Sequence, residues 1–161
     1  MAGLLIIWHS RTGGSEQMAR AAAAGASSEI AVTLLHAEDA GRDDLLAADG
    51  YLFACPENLA SMAGTMKDFF DRSYYPVLGR IDGRPFGTMI CAGSDGEGAA
   101  RQIARIATGW RLKPVAEPLI VCTHAQTAEA ILAPKTIAPA DLTRCLELGT
   151  SLGAGLALGI F

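Results

Sequence analysis

Six residues, Ser10 to Ser15, read SRTGGS and carry three hydroxyls and two adjacent glycines. They lie between a continuous apolar run, Leu4 to Trp8, and a helical pattern that opens at Ser15. Hydroxyls and free backbone amides hold an anion without reacting with it. Small residues let the main chain approach a ligand, and the first amides of a helix have no partner inside it. A phosphate fits that description. The competing reading is a plain strand-to-helix turn with Ser15 as its N-cap, which would need one hydroxyl rather than three.

Other phosphate loops are excluded by inspection. No Gly-Lys-Ser/Thr is present, so this is not a nucleotide triphosphatase loop, and no Gly-x-Gly-x-x-Gly follows the strand as a dinucleotide site requires. The loop has no cysteine to serve as a phosphatase thiolate. Cys55, Cys91, Cys122 and Cys145 are widely spaced and read as buried reduced thiols. His36 and His124 read as strand-end residues, and His9 keeps some interest because it abuts the loop. Glu38 and Asp39 read as solvated loop charges. No catalytic residue and no metal ligand is assigned.

The elements that must position this loop alternate in type. Apolar, β-rich runs occur at Leu4 to Trp8, Ile30 to Leu35, Gly50 to Ala54, Gly87 to Ala92 and Val115 to Cys122. Helical patterns occupy Ser15 to Gly25, Arg42 to Ala48, Gly64 to Tyr74, Gly98 to Trp110 and Ala140 to about Ile160. Strands buried on both faces and joined by helices form right-handed βαβ units. The expected fold is therefore α/β, a doubly wound five-stranded parallel sheet in a three-layer αβα sandwich, forming a single domain over residues 1–161. Ligands of such sheets sit beyond the C-terminal strand ends, which puts the loops after strands one, three and four at the site.

Two helices carry clear packing faces. Met66, Phe69, Phe70 and Tyr74 fall on one face, with Lys67/Asp71 and Asp68/Arg72 paired outside. Ile103 and Ile106 point inward, while Arg101 and Arg105 form a solvated face that could also meet a nicotinamide dinucleotide phosphate.

The chain has 13 basic and 17 acidic residues, a net charge of −4, with no Lys/Arg run, which argues against a nucleic-acid partner. The apolar run at the N-terminus is too short for a signal-peptide core, so a cytoplasmic protein is expected. The C-terminal LELGTSLGAGLALGIF contains Glu147 and is shorter than the roughly 20 residues of a spanning helix; it reads as a Gly/Ala-faced helix packed close to a sheet, with no membrane span.

SRTGGS resembles the first loop of the flavodoxin-like FMN proteins, Thr/Ser-x-Thr-Gly-x-Thr/Ser, at every fixed position. ACPENLASMAGTMKDFFDRSYYP (Ala54 to Pro76) is similar to the second flavin loop and following helix of the NAD(P)H-dependent quinone and FMN reductase branch, and ICAGSDGEGA (Ile90 to Ala99) to the third, Gly-rich loop. The resemblance spans Leu4 to about Val121. It implies that Ser10, Arg11, Thr12, Gly13, Gly14 and Ser15 hold the FMN phosphate. Pro56, Glu57, Asn58 and Leu59 would border the isoalloxazine ring, and Gly93, Ser94, Asp95 and Gly96 would close its other side. Neither ring loop contains the aromatic residue that flavodoxins use to sandwich the ring. Leu59 or Met62 could line a face, or Trp8, Tyr74, Tyr75 or Trp110 could reach in, from this subunit or from a second one in a homo-oligomer.

The resemblance thus implies an FMN flavoprotein, an oxidoreductase that takes electrons from NADPH or NADH and passes them to a quinone or another small acceptor. Ala60, Ser61 and Gly64 would leave one flavin face open for nicotinamide. The alternatives are a flavodoxin-type electron carrier between protein partners, and a phosphate-binding module without flavin.

Overall fold

The computed structural model describes residues 3–161. Five longer parallel strands form the sheet: β1 (Gly3–Trp8), β2 (Ala31–His36), β3 (Gly50–Asn58), β5 (Pro85–Ala92) and β7 (Leu119–Cys122), with short β4 (Ser61–Met62) and β6 (Lys113–Pro114) at its margins. Their order is β2-β1-β3-β5-β7. Strand order reverses between β1 and β3, so the crevice lies where the first and third strands end, as the sequence predicts.

Helices α1 (Gly14–Ser27) and α6 (Pro139–Leu158) cover one face, and α2 (Arg42–Ala47), α3 (Gly64–Val77) and α4 (Glu97–Gly109) the other. The fifth helix in chain order, α5 (Ala128–Leu132), lies beyond the sheet's C-terminal edge. Leu5, Ile7, Tyr51 and Phe53 point into one core layer, and Leu4, Ile6, Leu52 and Ala54 into the other. That division is the strand alternation of a sheet buried on both sides. The helix faces follow the sequence: Met66, Phe69 and Phe70 are buried, and Lys67–Asp71 and Arg72–Asp68 pair at 2.6 and 2.8 Å on the surface.

The last helix departs from its expected neighbour. Its small face packs chiefly against α1, where a Cβ on Gly149 would collide with the Ala22 carbonyl. Close backbone approach, not a membrane, explains the glycines. Among the described residues no helix is long and apolar enough to cross a membrane.

Three boundaries differ from those expected. The expected strand Val115 to Cys122 shortens to β7, Leu119–Cys122, because Pro118 lacks the N–H that a continuous ladder needs, and the short β6 precedes it at Lys113–Pro114. Strand β3 runs on to Asn58. Pro56 is accommodated because it lies past Ala54, the last β3 residue paired to β1. The stretch after β7, where the sequence shows no helical pattern, contains α5, capped by the Thr127 hydroxyl, which accepts the Ala130 amide at 3.1 Å.

Candidate functional site

The first loop leaves β1 at His9 and enters α1 at Gly14. Its cap is Gly13, at φ 95°, in the left-handed region that glycine enters without penalty. Ser15 therefore lies inside the first turn rather than at the cap. The residue is 2% exposed, and its hydroxyl has no hydrogen-bond partner among the described residues. A buried hydroxyl without a partner loses about 1–3 kcal/mol, so its partner is sought outside the chain. The Ser10 hydroxyl accepts the Gly13 amide at 2.9 Å and shapes the loop. The amides of Gly14, Ser15 and Glu16 precede any acceptor within α1.

A cavity of about 370 Å³ opens beside this loop. It brings together Arg11 and Thr12 from the first loop, Pro56, Glu57, Asn58 and Leu59 from the second, and Gly93 from the third. Ser10, Gly13, Gly14 and Ser15 stand behind Thr12 as its frame. Ser94, Asp95 and Gly96 do not line the cavity: Ser94 and Asp95 are exposed, and Gly96, at φ 93°, caps α4.

Glu57 has a second engagement that its sequence context did not disclose. Its Oε1 accepts the Gly96 amide at 2.9 Å and its Oε2 the Ala99 amide at 3.0 Å. The carboxylate caps α4 while the rest of the side chain borders the cavity.

No aromatic side chain lines the cavity among the described residues. Trp110 is fully buried and stacked on Tyr74 at 5.7 Å, donating its indole N–H to the Tyr74 carbonyl. Trp8 packs edge-on to His36 with the Arg20 guanidinium over its ring at 5.8 Å, and Met62 is buried in the core. Leu59 alone of those candidates reaches the cavity, and it is fully exposed. Ser61 turns toward α4, where the Gln102 side-chain oxygen accepts its hydroxyl and the Met62 amide at 3.1 and 2.8 Å. Ala60, Ser61 and Gly64 do not line the cavity.

Leu59 owes its position to an unusual hairpin. Asn58 pairs with Ser61, and the two residues between, Leu59 and Ala60, have φ of 52° and 63°. Two-residue hairpin loops with positive φ at both positions favour Asn-Gly, and a side chain in the left-handed region costs about 1–2 kcal/mol per residue.

Sequence reasoning missed Ile131 and Leu132, which complete the apolar wall from α5 and are 50% and 59% exposed. Their only signal was an apolar pair beside Pro134, in a helix too short to show periodicity.

Burial pushes the Cys55 thiol up to about 12 and Cys91, under the first loop, up to about 11. His9 is absent from the cavity wall and pairs with His36, Nδ1 to Nε2, at 3.1 Å. The Glu38 amide donates to His36 Nδ1 at 3.1 Å, which places the His36 proton on Nε2 and makes His9 Nδ1 the acceptor. Among the described residues no group of three or more His, Cys, Asp or Glu is placed to hold a metal ion.

Comparison with known proteins gives a consistent picture. The family profile described as NADPH-dependent FMN reductase matches residues 39–127. A protein named flavodoxin from Aquifex aeolicus (strain VF5) is 35% identical over 108 residues, covering 65% of this chain and 56% of that protein. The chain thus matches little more than half the length of that relative. A flavodoxin from the domain Archaea superposes with a TM-score of 0.77 at 18% identity, covering 96% of this chain and 98% of that one. A flavodoxin, WrbA-like protein from Agrobacterium tumefaciens gives 0.72 at 20% identity, with 99% of each chain covered. At such identities these structures speak for the flavodoxin-like fold.

Proposed function

Because this chain belongs to the NADPH-dependent FMN reductase family, we propose that it binds FMN in the cavity beside the first loop and acts as an NAD(P)H-dependent oxidoreductase. The observation that carries the reading is the start of α1 beside the cavity, where the Thr12 hydroxyl at the cavity edge and the open amides of the first turn fit a phosphate, and where the buried Ser15 hydroxyl has no competing partner among the described residues. Arg11 adds a positive charge at the same edge.

The ring lies among Pro56, Asn58, Leu59, Gly93, Ile131 and Leu132. Aliphatic walls exclude water from a flat ligand and do not stack on it as an aromatic would. A stacked aromatic occupies the place where a nicotinamide must make near-attack contact. Bound FMN would supply a two-electron centre that accepts hydride from NADPH or NADH and returns electrons to a quinone or another small acceptor. The chain itself contributes binding and orientation. It offers no acid, base or nucleophile in the cavity wall except Glu57, whose carboxylate is occupied by the α4 amides.

Anaerobic mixing of the FMN complex with NADPH or NADH, then with a quinone, tests the reading. The flavin absorbance should bleach with one of the nucleotides and return with the quinone. A complex bleached by a chemical reductant but by neither nucleotide would be an electron carrier. Failure to bind FMN at micromolar concentration, about −8 kcal/mol, would leave a phosphate-binding module.

A further inference from the structure

Helix α5 supplies Ile131 and Leu132 to the cavity wall, yet none of its residues is buried. A five-residue helix is far below the length that is stable alone, so other contacts must fix its place. Those contacts run through two side chains and one backbone amide. The Lys135 ammonium donates to the carbonyls of Ala130, Ile131 and Ala133, at 2.8, 2.9 and 2.6 Å, and so closes the C-terminal end of α5. The Lys135 amide donates to the Thr12 carbonyl at 2.8 Å. Gln17 then joins this segment to the first loop. Its Nε2 donates to the Gly13 and Lys135 carbonyls at 2.9 and 2.8 Å, and its Oε1 accepts the Ile137 amide at 3.0 Å.

We propose that Gln17 and Lys135 are positioning residues of the flavin site: they tie α5 to the first loop, so that an anion held by the loop and a ring held against Ile131 and Leu132 strengthen one another. The proposal rests on the FMN reading above. Its physical content is reciprocity. An anion that fixes Thr12 and Gly13 also fixes the carbonyls to which Lys135 and Gln17 donate, and α5 with them. A ring pressed on α5 orders the loop by the same amount. Neither residue lines the 370 Å³ cavity; Lys135 borders only the smaller one that adjoins it beneath Thr12 and Gly93.

The test compares wild type with Gln17→Leu and Lys135→Met, in the full chain. FMN and riboflavin affinities are measured by flavin fluorescence. Hydrogen exchange of residues 128–135 is followed with and without inorganic phosphate. In the wild type, phosphate alone should slow exchange in α5, and in both variants it should not. The preference for FMN over riboflavin should fall at least about fivefold in each variant, the low end of measured couplings between sites. A role in folding alone would lower the melting temperature and leave that preference as in the wild type. If Gln17→Leu does not fold, Lys135→Met, changed at the surface end of the same link, gives both readouts. A wild type that binds FMN but shows no phosphate effect in α5, or variants whose preference is unchanged, overturns the coupling alone. A wild type that binds no FMN overturns the flavin reading as well.

Discussion

Gly13 caps α1 and leaves the Ser15 hydroxyl, two residues on, buried without a partner. The two residues divide the work of the loop: one makes the turn and the other keeps its hydroxyl clear of internal bonds among the described residues. Ser15→Ala should therefore separate stability from binding. Without ligand the variant should be as stable as the parent, or up to about 1 kcal/mol more, because an unmade buried hydrogen bond is removed. Its FMN affinity should fall roughly tenfold to a hundredfold, the worth of one charge-assisted hydrogen bond. Thermal melts without ligand and a fluorescence titration give the two signs. A clear loss of unliganded stability would mean that Ser15 serves the turn itself.

The hairpin tip makes the same trade at Leu59 and Ala60. Replacing the pair with Asn-Gly should stabilise the unliganded protein by about 1–2 kcal/mol, since both residues have positive φ. The same change removes an exposed apolar wall of the cavity, so FMN should bind severalfold more weakly. Denaturant unfolding and flavin titration of one variant would measure both. A double change that leaves stability unaltered would show that the tip carries no backbone strain.

Stability should also depend on pH through His9. Burial, aided by His36 and Arg11 and opposed by Glu38, holds its imidazole below the ordinary value of 6.5. A histidine with a depressed folded value binds more protons unfolded than folded just below 6.5. Its stabilising contribution is complete above 6.5 and declines as pH falls through the lower folded value. Protonation would also place two N–H groups against each other in the His9–His36 pair. Melting temperatures of the wild type should fall from pH 7 to pH 5 more steeply than those of His9→Gln. Parallel curves would remove His9 as the source.

The sheet and its flanking helices were legible because period and burial agree: Leu4 to Ile7 read as a doubly buried strand, and Met66, Phe69 and Phe70 as a helix face. The first loop was legible because three hydroxyls and two glycines are more than a turn requires. The hairpin at Leu59 and Ala60 was not, since its residues contradict the turn they form and no local rule proposes them. Ile131 and Leu132 escaped for a different reason. Their helix is held by hydrogen bonds from Lys135, and a lysine that caps five residues back leaves no hydrophobic period to read. Glu57 lines the cavity, but its bond to the start of α4 joins residues 39 apart, which a pattern within one loop cannot contain.

Helices α1 and α4 both begin at a glycine with positive φ along the same edge of the sheet. By backbone geometry they are equivalent seats for a negative charge. The chain has already filled the second with its own carboxylate, Glu57, and left the first open. An anion approaching this edge would meet open amides at the start of α1 and a carboxylate already in place at the start of α4. Residue 57 thereby makes the two ends of this edge opposite in charge preference, and a charged, asymmetric ligand would be oriented by that difference.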